Sequence, residues 1–251
     1  MPLTRPFVVS IAVLIAPLPL ALAQTAIEVS WGTSVFEQKI ILSDGSVVDP
    51  ANLIIEIGSF DSGFVPNRSN MGGWLSHWRI FDAVTDTDPS VTTTDADPAD
   101  SFTNESGGEE TARFGGVAHL LGDTTSDSED ATPGYTWSAG EQAYLFIRTS
   151  DVFTSTSEWL LVTSTNDSQH VGDSIWQFPD VTGGQPQFSE AWWVADADKA
   201  VFGGLAGSAG PGSYTDGSSD YSLRLHKIPE PGPALLGLTT AIFLLRGRRR
   251  R

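Results

Sequence analysis

The sequence predicts an all-β domain, a two-sheet β-sandwich of jelly-roll type, on three observations. Short runs rich in β-branched and aromatic residues recur between clusters of turn residues. Nothing between residues 24 and 228 sustains a 3.6-residue period over a long helix. The segments 85–108 and 123–134 are almost entirely Asp, Thr, Ser, Pro and Gly, which is the composition of surface loops. The 205 residues of 24–228 suit one domain and suffice for a sizeable core without cross-links.

Taken in order, residues 1–23 come first and are not part of that domain. Arg5 is the only charge before Glu28, and residues 7–22 are largely apolar but broken by Pro17 and Pro19, which a core helix would not tolerate. Ala21 and Ala23 then place small side chains where a signal peptidase reads them, with Gln24 following. A secretory signal peptide cut after Ala23 is expected. Within the domain, residues 52–57, 142–148 and 158–163 read as strands, and the aromatic run 175–179 as another. Tyr221, Leu223 and Leu225 alternate with Ser222, Arg224 and His226, the pattern of a half-buried strand. Ser43-Asp44-Gly45-Ser46, Asp61-Ser62-Gly63 and Thr182-Gly183-Gly184 carry turn chemistry between them.

The last element is a tail, residues 229–251. Pro229-Glu230-Pro231 holds one carboxylate on an extended stretch, because both prolines fix φ and donate no backbone hydrogen bond. Residues 232–245 carry no charge and suit a transmembrane helix. Arg246, Arg248, Arg249, Arg250 and Arg251 then form a basic cluster. Each arginine costs roughly 2.5–3.5 kcal/mol near a bilayer centre, so the cluster is expected to stay cytoplasmic. Fourteen residues rise only about 21 Å as a helix, against a hydrocarbon core of about 30 Å. Snorkelling arginines or local thinning would close the gap, and a short anchor suits a temporary one.

Pro-Glu-Pro, a short apolar helix and a basic cluster in that order resemble the PEP-CTERM sorting signal of Gram-negative, polysaccharide-secreting bacteria. The resemblance implies recognition by an exosortase, a membrane transpeptidase of cysteine type, which would cut near Pro229-Glu230-Pro231 and release or transfer the exported portion. A plain C-terminal anchor, its prolines marking only a juxtamembrane turn, is the competing reading. A second resemblance rests on Trp31-Gly32-Thr33-Ser34-Val35-Phe36, Leu42-Ser43-Asp44-Gly45-Ser46, Ser157-Glu158-Trp159-Leu160-Leu161-Val162 and Ile175-Trp176-Gln177-Phe178-Pro179. These are similar to uncharacterised PEP-CTERM proteins of verrucomicrobial type, and the likeness implies export and fold but no chemistry.

Charge narrows the partners. Residues 24–228 hold eight Lys and Arg against thirty Asp and Glu, a formal charge of about −22. Such a surface repels nucleic acid phosphates and anionic lipid. The chain contains no cysteine, which excludes disulfides and thiolate chemistry.

Catalytic signals are sparse. His77, His119, His170 and His226 are scattered without zinc-binding spacing, and no Gly-x-Ser-x-Gly elbow or Ser-x-x-Lys pair marks a nucleophile. Glu109-Glu110 imitates a glycosidase pair but sits in polar loop sequence, where a solvated face is the simpler reading. The eight tryptophans would be sugar-stacking platforms if exposed and sandwich core if buried. Asp95, Asp97 and Asp100 gather hard oxygen ligands that suit weakly bound calcium, as do Asp86 with Asp88, Asp123 with Asp127 and Asp196 with Asp198; none matches the twelve-residue calcium loop, and a solvated acidic loop competes. Apart from calcium no cofactor is expected.

These readings describe an exported, non-enzymatic protein of structural or adhesive role. It would be held briefly in the inner membrane by its tail, then delivered to the cell surface or extracellular matrix of a Gram-negative bacterium. Its expected partners are signal peptidase, an exosortase-type processing enzyme and extracellular polysaccharide. A carbohydrate-binding or carbohydrate-active sandwich with the same address is the rival. N-terminal sequencing of exported protein should begin at Gln24; a retained Met1 would contradict the leader.

Overall fold

The computed structural model describes residues 26–33, 38–48, 52–84, 101–103, 113–165, 175–181 and 189–229. Over these residues the chain is all-β. Its strands are β1 (Ile27–Gly32), β2 (Ile40–Ile41), β3 (Ile54–Phe60), β4 (Trp78–Ala83), β5 (Ser101–Thr103), β6 (Arg113–Leu120), β7 (Tyr144–Arg148), β8 (Glu158–Thr163), β9 (Glu190–Trp193), β10 (Lys199–Phe202), β11 (Gly204–Leu205), β12 (Leu223–Arg224) and β13 (His226–Lys227). A single helical turn, α1 (Trp74–His77), follows a 3-10 segment at Arg68–Gly73.

The strands form three sheets. One has the order β5-β6-β1-β9, a second β10-β8-β7-β3-β4 with β13 also on β8, and a small third β11-β12-β2. Most pairings are antiparallel, but β1 with β9 and β2 with β12 run parallel. One buried cluster draws on both large sheets, with Val29, Trp31, Phe114, Ala118, Leu120 and Trp192 from the first. Ile55, Ile57, Leu145, Ile147, Leu160 and Val162 come from the second. Leu205, Leu223 and Ile40 of the small sheet join the same cluster.

The two large sheets differ in burial for a reason visible in their strands. Residues 114–120 of β6 alternate between buried and half-buried, so that sheet has one covered face. In β8 all six residues are buried, and β3 and β7 are buried almost throughout. The second sheet is covered on both faces. Its far face carries Phe60, Trp78, Phe146, Trp159, Leu161 and Phe202, which cluster with Met71, Trp74 and Ile228. The cover is held locally: Asn67 Oδ1 accepts from the Ser69 N–H at 2.9 Å, and Asn70 Oδ1 accepts from the Asn67 N–H at 2.9 Å. Trp74 donates its indole N–H to the same Asn70 oxygen at 2.9 Å and stacks on Trp159.

The charged side chains buried in this double-sided sheet are paired. Arg148 forms a two-pronged ion pair with Glu56 across β3 and β7, at 2.7 and 2.8 Å, and Glu56 also accepts the Trp78 indole N–H at 2.7 Å. Burial opposes the Arg148 charge, but hydrogen bonds to Glu56 and Asp151 outweigh it and raise its pKa. A bulge in β4 makes Phe81 an extra residue opposite β3, so Asp82 faces the inter-sheet core beside Ile57. There Asp82 accepts the Trp31 indole N–H at 2.6 Å and joins the two sheets. Gly58 lies at this bulge, where a Cβ would sit 2.1 Å from the Arg79 carbonyl oxygen. Gly32 has φ +118°, and a Cβ there would approach the Phe114 carbonyl to 2.3 Å.

Several expected elements shift. The strand expected at 52–57 occupies Ile54–Phe60, and that at 142–148 begins at Tyr144. The run 175–179 is no ladder strand: Gln177 makes one isolated bridge to Gln142, while Trp176 and Phe178 plug the core. The polar segment 85–108 contains β5, which pairs with β6. Residues 221–226 are not half-buried, since Arg224 and His226 are as covered as Leu223 and Leu225. The tail helix expected at 232–245 lies outside the described residues, and among those described no helix is long and apolar enough to cross a membrane.

Replacing Arg148 with Met should destabilise the fold by about 3–5 kcal/mol in urea titration, because Glu56 would keep a buried, unpaired charge. Adding Glu56→Gln should recover part of that loss; a double variant weaker than the single would contradict the account.

Candidate functional site

The C-terminal exit is built by the last strands. Leu225 donates its backbone N–H to the Ile41 carbonyl at 2.9 Å, and β13 pairs with β8 through His226 opposite Trp159 and Lys227 opposite Glu158. On its other side Lys227 donates its backbone N–H to the Ser213 carbonyl at 3.2 Å. Ile228 is buried and donates its N–H to the Ser157 carbonyl at 3.1 Å. Pro229, half-buried, follows at once. The folded domain therefore runs directly into Pro229 with no intervening linker.

Two buried polar residues brace this exit. The Arg224 guanidinium lies between the rings of Tyr221 and Tyr214, 4.3 and 4.9 Å from their centroids, and donates to Asp216 at 3.0 Å and the Ser218 carbonyl at 2.7 Å. His226 places Nδ1 2.9 Å from the Pro211 carbonyl oxygen, stacks on Tyr214 and meets Phe202 edge-on. Its Nε2 is buried without a hydrogen-bond partner. Burial is the main cause that lowers its pKa below the usual histidine value; the Pro211 hydrogen bond works against this and the Arg224 charge adds to it.

Of the residues expected at the tail, the leader cleavage site and the Asp95, Asp97 and Asp100 cluster, only Pro229 lies among the described residues. Ala21, Ala23, Gln24, Asp95, Asp97, Asp100, Glu230, Pro231, Arg246, Arg248, Arg249, Arg250 and Arg251 lie outside them. The aspartates that are described act as local clamps. Asp123 accepts from the Thr125 hydroxyl and N–H at 2.6 and 3.1 Å, which lowers its pKa, and Asp198 accepts from the Thr165 N–H at 2.9 Å. Among the described residues no three His, Asp or Glu side chains gather to hold a metal ion. His77 pairs with Asp61, His119 with Asp127, and His226 with Pro211.

Two clefts carry polar groups. One, about 350 Å³, lies between residues 60–65 and 138–144. Asp61 in it takes Arg79 at 2.6 Å and His77 at 3.1 Å, and Phe64 stacks on His77 at 4.3 Å. Glu141 accepts from Ser59, from the Tyr135 hydroxyl at 3.1 Å and from the Ser138 N–H at 2.9 Å. Desolvation, helped by the Glu141 charge, pushes the Tyr135 pKa to about 12, so it remains a donor. Both carboxylates are engaged, and the cleft offers polar contacts and aromatic edges. The second cleft, about 410 Å³, holds Asp82, His119, Asp127, Glu129 and Asp130. Burial raises the pKa of Asp82, whose two oxygens accept from Trp31 and Ser128.

The tryptophans settle into the core. Trp31, Trp74, Trp78, Trp137, Trp159, Trp176 and Trp192 are buried and Trp193 half-buried, so no exposed row of indoles lines either cleft. Trp137, Trp192, Phe81 and Phe178 form an aromatic nest, with Trp137 stacked on Phe178 and edge-to-face contacts of Phe81 with Trp137 and of Phe178 with Trp192, which the scattered sequence positions did not reveal. Sequence reasoning likewise missed two groupings: Asp61 with His77 and Arg79, which the β3–β4 pairing brings together, and Glu141 with Tyr135 of the same loop and Ser59 of β3. Compared with known proteins, the chain matches no family model, no curated protein and no solved structure.

His226 yields a pH prediction. Its pKa is depressed on folding, so the unfolded chain takes the proton first; its stabilising contribution is complete above about 6.5 and is lost as pH falls through that value toward the folded pKa. The urea midpoint should therefore fall between pH 7.5 and pH 5.5, and His226→Asn should flatten that fall. An equal fall in both proteins would assign it to other groups.

Proposed function

We propose that this protein is an exported, non-catalytic β-sandwich delivered to the cell surface or extracellular matrix by a PEP-CTERM-type tail. The observation that carries the reading is the ordered tail: Pro229-Glu230-Pro231, the uncharged residues 232–245 and five arginines. A leader ending at Ala23 is consistent with export, and the charge of about −22 on residues 24–228 agrees with an outward-facing domain and inward-facing arginines. The burial of seven tryptophans supports a structural or adhesive role over a sugar-stacking one. We read the two large sheets as the sandwich; the parallel β1–β9 and β2–β12 pairs distinguish it from a purely antiparallel jelly roll. Calcium held by the loop carboxylates Asp95, Asp97 and Asp100 belongs to this proposal as a weak stabiliser.

Glycan binding is the second reading, favoured by the cleft beside Asp61, Phe64, Glu141 and Tyr144. A glycan-array screen of residues 24–228 distinguishes the two, since binding abolished by Tyr144→Ala would favour the cleft. The processing role has a direct test. Glu230→Ala should leave membrane insertion intact but stop maturation, so that full-length protein accumulates in the inner membrane. If that variant matured at the wild-type rate, Pro229-Glu230-Pro231 would be a juxtamembrane turn and nothing more.

A further inference from the structure

We infer that the β7–β8 turn, residues 149–157, is a lipid-facing surface that seats the domain on the bilayer while the tail is anchored. The inference rests on reading 232–245 as a membrane segment. Its geometry comes from the folded domain. Ile228 is locked to the Ser157 carbonyl, so the chain leaves the fold at the base of this turn. Pro229 to Gly232 is three residues, a reach of at most about 11 Å. The polar layer between water and hydrocarbon is roughly 5–8 Å deep on each side, so this end of the domain sits at headgroup level.

The turn has the surface such a position favours. Val152 is 59% exposed and Phe153 39%, and among the described residues they are the one pair of exposed large apolar side chains adjacent in sequence. The turn is also stiff. Ser157 Oγ donates to the Val152 carbonyl at 2.6 Å, the Ser157 N–H to the Thr154 carbonyl at 3.0 Å, and the Phe153 ring rests against Trp159. Exposed Lys227, two residues before Pro229, can meet lipid phosphate, while Asp151 is held at 2.6 Å by the Arg148 guanidinium that it shares with Glu56. With the rest of the domain strongly acidic, apolar insertion rather than charge holds the contact, and the partner is a zwitterionic bilayer.

The absence of cysteine makes the test clean. Val152→Cys and, as a control, Ala139→Cys are expressed from the full sequence in a host lacking exosortase. Ala139 precedes β7 and the turn follows it, so the two labels sit at opposite ends of that strand. Each protein is labelled with an environment-sensitive dye, purified from carbonate-washed membranes and reconstituted in phosphatidylcholine vesicles. The expected result is a blue-shifted emission at position 152 that brominated lipid quenches, with neither effect at 139. Membrane-retained protein whose two labels behave alike would overturn the lipid contact and leave the tail reading intact. Protein starting at Gln24 and recovered only in the soluble fraction would overturn both.

Discussion

The structure depends on a sheet that is buried on both faces. In β3, β7 and β8 the odd and even positions alike are covered, so the sheet needs two partners. The β5-β6-β1-β9 sheet supplies one, and the segment Arg68–His77 with Ile228 supplies the other. A buried sheet face tolerates polar side chains only in satisfied groups. Glu56, Arg148 and Trp78 form such a group on the far face, and Asp82 with Trp31 and Ser128 forms one between the sheets. Losing either partner of a charged pair there costs more than the pair itself contributes.

That constraint reaches the C-terminus. Because Ile228 completes the cover over Phe146 and Trp159, the last strand is part of the core rather than an appended strap. Arg224 and His226 are buried for the same reason, under Tyr214, Tyr221 and Phe202. The proposed processing motif begins with Pro229, directly after buried Ile228, so no spacer separates it from the last strand. In the proposed sorting route, an enzyme acting at Pro229-Glu230-Pro231 would work close against the domain's end, and the Val152–Phe153 turn would share that space.

Charge works at longer range. The five terminal arginines would hold the end of the proposed tail on the cytoplasmic side of a membrane, opposite the acidic residues 24–228, without any contact between the two ends. Locally the same acids serve the fold: Asp44, Asp123 and Asp198 tie down turns, and Asp61 binds Arg79 and His77.

The sequence alone determined the fold class and several strands, because β-branched periodicity and turn residues act through neighbours along the chain. Residues 158–163 are a strand with the expected bounds, and Gly45 and Gly63 take the positive φ their turns require. The proposed leader and tail rest on signals of the same local kind, each continuous in sequence. What the sequence left open turned on which faces are covered. Exposed and buried tryptophans look alike in sequence; only the packing of two sheets and a helical cover placed seven of the eight inside. Alternation at 221–226 predicted exposed Arg224 and His226, but aromatic rings from residues distant in sequence bury both. The polar run around Ser101–Thr103 forms a strand because β6 offers it a free edge. Pairing of this kind joins backbone groups far apart in the chain, and a local pattern carries no record of them.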